Sequence, residues 1–260
     1  MGLTFNWKQV QSYIGEMAAS FVFGFSVYSA AISSSLTDSM CGPVIVGLAV
    51  CFSSIAIIYT FADITLAHFN PAITFSAIIF GKLIWYKGAI YIISQCLGFM
   101  IAAAVVLGCY PSTVRNKLEI IRPKKVDDDV TKGNLICTEM FLTGILTFVA
   151  FQVAINVYKK PKYIKSEEEK LLPEGAEDHI DIEDSKPDTT ILAPLVIGLT
   201  LGFLAFLGFS SSGGVFNPGL VWAPVLFSGD WYDSWAYWVG EFTGSLVGAA
   251  IQVFILARMY

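Results

Sequence analysis

The sequence predicts an all-α membrane protein of six transmembrane helices plus two re-entrant half-helices, arranged as an inverted repeat. Three observations predict it. First, the 260 residues are 55% hydrophobic and 14% charged, with a mean hydropathy of +0.64, whereas soluble domains carry about 25% charged residues. Second, six apolar stretches each approach the roughly 20 residues a helix needs to cross a bilayer. Third, Asn-Pro-small occurs twice, as Asn70-Pro71-Ala72 and Asn217-Pro218-Gly219, within apolar segments too short to span.

Taken in chain order, the first span runs over about 11–35 and holds Glu16. It lacks a basic leader and a cleavage site, so it reads as a retained helix and not as a signal peptide. The second covers about 43–62, and Asp63 opens a turn that leads to the first Asn-Pro segment. Proline at a first helical turn costs nothing, because its missing N–H would be unpaired there anyway. Asn70 before it is a good N-cap, and its amide donors are left to point into a cavity. The half-helix therefore runs from Asn70 to about Phe80, and the third span from about 88 to 109.

The loop 110–133 mixes basic residues with Asp127-Asp128-Asp129. Three adjacent aspartates offer too few oxygen ligands for calcium, so it reads as an ordinary polar loop. The fourth span, about 134–158, holds Glu139. Residues 159–189 are acidic, contain three prolines and the solvated His179, and predict a flexible spacer. The fifth span follows at about 190–209, the second half-helix from Asn217 to about Phe227, and the sixth span at about 235–257.

The two halves, 1–109 and 134–260, share one plan within a single domain of 1–260. An odd number of spans per half inverts the second against the first, and paired interrupted segments in matching positions point to a site at the midplane. Irregular backbone at that depth is tolerated only where it is buried in protein or lines a watery passage. Ten basic residues fall on the side of both termini and six on the other, which favours cytoplasmic termini. Five cysteines lack metal-ligand spacing, and no metal or other cofactor is expected. Cys41 and Cys109 lie near the outer face, where free thiols are expected over a disulfide; Cys51, Cys96 and Cys137 read as packing residues.

Ala67-His68-Phe69-Asn70-Pro71-Ala72 and Ser212-Gly213-Gly214-Val215-Phe216-Asn217-Pro218-Gly219 closely resemble the signature segments of the aquaporin, or major intrinsic protein, family. Glu16, Glu139, Ser94-Gln95-Cys96-Leu97-Gly98 and Tyr237-Trp238-Val239-Gly240 extend the resemblance over nearly the whole chain outside 159–189. It implies a right-handed bundle in which the half-helices meet N-terminus to N-terminus and place two positive dipole ends at the channel centre. It also implies that Asn70 and Asn217 donate to a passing oxygen, interrupt its proton-conducting chain, and oppose cations. Glu16 and Glu139 would accept backbone N–H groups of the re-entrant loops, since intramembrane carboxylates are costly unless hydrogen-bonded. His68 would sit at the pore mouth, with a structural hydrogen bond favoured over a gating role.

Departures from the family are equally informative. Gly219 stands where alanine is usual, and Glu241 where relatives often carry proline. Counted from the two asparagines, the family's outer constriction falls on Val50, Ala205, Gly214 and Leu220, beside Gly213. Relatives carry an arginine where this chain has Leu220, so the resemblance implies a wide, apolar constriction. The glyceroporin mark, an aspartate after that arginine, is Val221 here, whereas Tyr237-Trp238 is of the water-channel type.

The function expected is passive conduction of water or small neutral solutes. The alternative is a structural or junctional membrane protein that kept the fold and lost transport. A secondary transporter would need coupling-ion ligands within the spans, and these are too few. No nucleophile–base pair, metal cluster or phosphate loop suggests an enzyme, and no basic stripe suggests nucleic acid. The resemblance further implies a homotetramer in lipid. Gly15, Ala18, Ala19, Gly98, Gly244 and Gly248 permit close helix approach, within or between subunits.

Overall fold

The computed structural model describes residues 7–36, 41–155 and 189–256. The predicted acidic loop up to residue 188, including His179, lies outside the described residues. Among them, nine α-helices and no strands occur: α1 (Trp7–Leu36), α2 (Gly42–Phe61), α3 (Pro71–Ile79), α4 (Trp85–Cys109), α5 (Lys117–Ile121), α6 (Lys132–Ala150), α7 (Ala193–Gly208), α8 (Pro218–Ser228) and α9 (Ser234–Ala250). Single π turns, Phe151–Ile155 and Ile251–Ile255, prolong α6 and α9.

Among the described residues, five helices are long and apolar enough to cross a membrane: α1, α2, α4, and α6 and α9 with their π turns. The fifth predicted span is shorter than expected. It resolves into the 16-residue α7, rising about 24 Å, preceded by a 3₁₀ turn over Thr189–Leu192. The half-helices α3 and α8 begin at Pro71 and Pro218, behind extended Asn70 and Asn217.

The repeat is visible in the packing. α1 lies against α4, α6 against α9, and α2 against α7 across the middle. Gly98 of α4 sits on the Met17 carbonyl, and Gly244 of α9 sits on the Met140 carbonyl, each leaving no room for a methyl group. Gly248 meets the Gly144 carbonyl in the same way. These small residues therefore bring helices together within one chain. Phe23, Tyr28, Phe99, Phe216 and Tyr237 fill the centre, while Phe52, Ile93 and Leu199 face outward at 63%, 59% and 52% exposure. An apolar exterior around a core that holds polar groups is what a bilayer solvent demands.

Two expectations need correction. Cys137 does not pack inside; it is exposed on α6, because the buried side of that helix is taken by Leu135, Glu139 and Leu142. The loop after α4 is more than a polar connection. It forms α5, buries Ile121, and is stitched to the loop before α8 by the Val126 N–H donating to the Ser211 carbonyl at 3.0 Å. Its Lys117 closes the end of α4 by donating to the Leu107 and Tyr110 carbonyls. Cys41 and Cys109 are both free and exposed.

Candidate functional site

The loops that enter α3 and α8 repeat nearly the same backbone conformation. Phe69 and Phe216, each just before its asparagine, have φ of 32° and 38°. Three residues before each asparagine, Ala67 has φ of 46° and Gly214 of 67°. Left-handed conformations cost non-glycine residues about 1–3 kcal/mol and persist where surroundings over-determine them. Here the surroundings are buried carboxyls.

Glu16 is 0% exposed and accepts the N–H groups of His68 at 3.1 Å and Phe69 at 3.0 Å. It also accepts from the Thr65 hydroxyl and from Gln95 Nε2, the latter at 2.7 Å. Glu139, equally buried, accepts the N–H groups of Val215 at 3.1 Å and Phe216 at 2.6 Å. Each half thus fixes its loop by the same two consecutive amides.

The tips then lock to each other. Asn70 Oδ1 caps the Ala72 N–H at 2.9 Å, and Asn217 Oδ1 caps the Gly219 N–H at 3.0 Å. Asn70 Nδ2 donates to the Phe216 carbonyl at 2.8 Å, and Asn217 Nδ2 donates to the Phe69 carbonyl at 2.9 Å. An amide nitrogen has two donors, so one N–H of each asparagine is spent across the interface and one remains. Sequence reasoning assigned these donors to the cavity and missed the reciprocal bond. The strained φ at Phe69 and Phe216 explains it, since those are the residues whose carbonyls accept.

Beyond the second tip lies a cavity of about 320 Å³, walled by Val46, Val50, Tyr28, Gly214, Phe216 and Leu220. Ile120 to Val126 of the α5 loop form its other wall. Val50, Gly214 and Leu220 are thereby brought together. Ala205 is not on that wall; it lies behind Gly214, against whose backbone its own carbonyl packs. The Leu220 carbonyl accepts from the Tyr28 hydroxyl at 3.0 Å, and the Ser212 carbonyl from the Tyr237 hydroxyl at 2.6 Å.

Charge reaches this cavity from an unexpected direction, through Arg122, Lys124 and Lys125 of the α5 loop. Arg122 pairs with Glu119 at 2.6 Å and Asp230 at 2.7 Å. Burial opposes its charge, but the Glu119 hydrogen bond and the nearby acids raise its pKa above the usual arginine value. Ile120-Ile121 within an otherwise polar loop was the available sequence signal for this folding over the vestibule.

His68 is 4% exposed, with Nδ1 at 3.1 Å from Thr74 Oγ1 and its ring edge-on to Tyr91, a hydrogen-bonded position beside the Asn70 turn. Asp63 is exposed at the start of the loop. Among the described residues, no cluster could hold a metal ion.

Gly219 has a steric explanation. A methyl group there would strike the ring of Phe99, itself 0% exposed. Helix propensity favours alanine by about 1 kcal/mol, yet overpacking costs about 1–3 kcal/mol. Gly219→Ala is therefore expected to lower the melting temperature in detergent, and Phe99→Leu in the same chain to recover most of the loss.

The chain is similar to known proteins over most of its length. The family model described as Major intrinsic protein matches residues 4–164 and 179–252. A protein of Vairimorpha ceranae named Aquaporin is 46% identical over 263 residues, covering 99% of this chain and 100% of the relative. Aquaporin-B of Dictyostelium discoideum is 32% identical over 251 residues, covering 95% of this chain and 84% of its own length. Among solved structures, the aquaglyceroporin from Plasmodium falciparum has a TM-score of 0.74 at 18% identity, covering 96% of this chain and 97% of that one. At that identity the likeness concerns the fold.

Proposed function

Because the chain belongs to the major intrinsic protein family, we propose that it is a passive channel for water and small neutral solutes, with glycerol, urea, ammonia and hydrogen peroxide as candidates. The observation that carries this reading is the reciprocal docking of the two asparagine tips. It brings the positive ends of α3 and α8 together and leaves each carboxamide one N–H for a permeant oxygen. A cation there meets two helix dipoles and, further out, the basic residues of the α5 loop. No observation favours the non-conducting structural alternative.

Selectivity follows from the cavity wall. With Val50, Gly214 and Leu220 at the constriction, the passage is wider and less polar than one holding a fixed guanidinium. Ala205 contributes through the position of Gly214 and not by contact. The carbonyls leading to Asn217 supply hydrogen bonds that a polyol can use. The protein is read as an integral, multi-pass homotetramer, one pore per subunit, with both termini cytoplasmic and lipid against the outward apolar faces. The α5 loop and its cavity then face the exterior.

Light-scattering of proteoliposomes in gradients of glycerol, urea and peroxide tests the proposal. Permeability above that of protein-free vesicles is expected for at least one solute beside water. Permeabilities equal to the vesicle background for all would refute it. Leu220→Arg is expected to cut glycerol flux about tenfold, an energy of about 1.4 kcal/mol, and to change water flux less. Unaltered flux of every solute would remove Leu220 from the constriction.

A further inference from the structure

At the second pore loop one buried carboxyl oxygen has no partner: Oε2 of Glu241, in a side chain that is 0% exposed. Its other oxygen, Oε1, accepts the Asn217 N–H at 2.8 Å. Together with the two amides held by Glu139, three consecutive N–H groups, of Val215, Phe216 and Asn217, end on two carboxyls from two helices. Carboxyls that share adjacent amides in a protein interior cannot both be ionised without a balancing cation.

Among the described residues no such cation is at hand. α3, α7 and α8 carry no titratable side chain, and neither does the loop 209–217. On α6, Lys132 lies at the far N-terminal end, beside Asp233 and Tyr232, and Cys137 faces outward. On α9, the Tyr237 hydroxyl is committed to the Ser212 carbonyl. Arg122 is paired with Glu119 and Asp230.

The first half shows what occupies the matching place. Gly98 of α4 rests on the carbonyl of Met17, next to Glu16, and Gly244 of α9 rests on that of Met140, next to Glu139. Three residues before those glycines stand Gln95 and Glu241. Gln95 is a neutral donor to its glutamate, Nε2 to Glu16 Oε2 at 2.7 Å. A carboxylate at 241 could only repel its glutamate, whereas a carboxylic acid can accept with one oxygen and donate with the other, as an amide does.

We infer that Glu139 and Glu241 hold one proton between them, with Glu241 acting in its acid form as the counterpart of Gln95 and positioning the Asn217 tip. The pair then carries a single negative charge, stabilised by the three loop N–H donors. It sits behind the pore loop, holding it, and is not itself a permeant site.

Infrared spectroscopy of the full-length protein in D₂O at neutral pH tests the protonation directly. The wild type is expected to show the carbonyl band of a buried, protonated carboxyl, and Glu241→Gln to lose it. No such band in the wild type, or an undiminished band in Glu241→Gln, overturns the inference. The positioning role rests on the channel reading and is tested by flux. Glu241→Leu, which orphans the Asn217 N–H, is expected to lower water permeability per protein about tenfold, and Glu241→Gln to restore it to within about threefold of wild type. Glu241→Leu conducting like the wild type, or Glu241→Gln as impaired as Glu241→Leu, overturns that role. A protein that shows the band and its loss but conducts nothing would instead contradict the channel reading.

Discussion

Asn217→Asp is expected to reduce water permeability to the level of protein-free vesicles. The change keeps the acceptor that caps the Gly219 N–H but deletes the donor to the Phe69 carbonyl. It puts a carboxylate oxygen in place of the nitrogen that now lies 2.9 Å from that carbonyl, in a position 1% exposed. An uncompensated buried charge costs about 3–5 kcal/mol, and the single negative charge held by Glu139 and Glu241 nearby adds repulsion. The tips should part, and the second half-helix should lose its register against the first. Asn70→Asp, deleting the mirrored bond to Phe216, is expected to act alike. Stopped-flow scattering of reconstituted protein, normalised to the amount incorporated, measures both.

Glu139→Leu is expected to have the largest effect on stability. It strands the Val215 and Phe216 N–H groups in the interior, at about 1–3 kcal/mol each. It also removes what holds Phe216 at φ 38°, so the loop is free to relax out of that strained conformation and out of the tip geometry. At about 2–6 kcal/mol together, the two stranded donors reach the lower part of the about 5–15 kcal/mol that keeps a typical domain folded, so little folded protein should survive purification in detergent. Phe52→Ala, on an outward-facing, exposed side chain, is the matched control and should leave the melting temperature near wild type. Size-exclusion profiles and thermal melts distinguish the two. Comparable yields and melting temperatures would show that Glu139 does not brace the loop.

Much of this architecture was legible because it is local. The half-helix starts follow from Asn-Pro caps, which depend on adjacent residues alone, and α3 and α8 begin within a residue of the expected positions. Glu16 and Glu139 were readable because a carboxylate in an apolar span must have buried donors. The resemblance implied that the two tips meet, but the particular hydrogen bonds between them were not readable. Asn70 and Phe216 are 146 residues apart, and nothing in either segment names the other. Gln95 and Glu241 became meaningful only when Gly98 and Gly244 placed them on equivalent carbonyls. Gly219 looked like a loss of helix propensity until Phe99 filled the space that a methyl group would need. The α5 loop misled because its charges masked Val114 and Ile121, which are buried.

The central claim is that the crossed carboxamides sit on an open path for water. Osmotic shrinkage of liposomes carrying the full-length protein, against identical vesicles without it, measures this most directly. Water permeability well above the lipid background, with a weaker temperature dependence than lipid alone, is the result predicted. Indistinguishable rates at verified protein incorporation would contradict it.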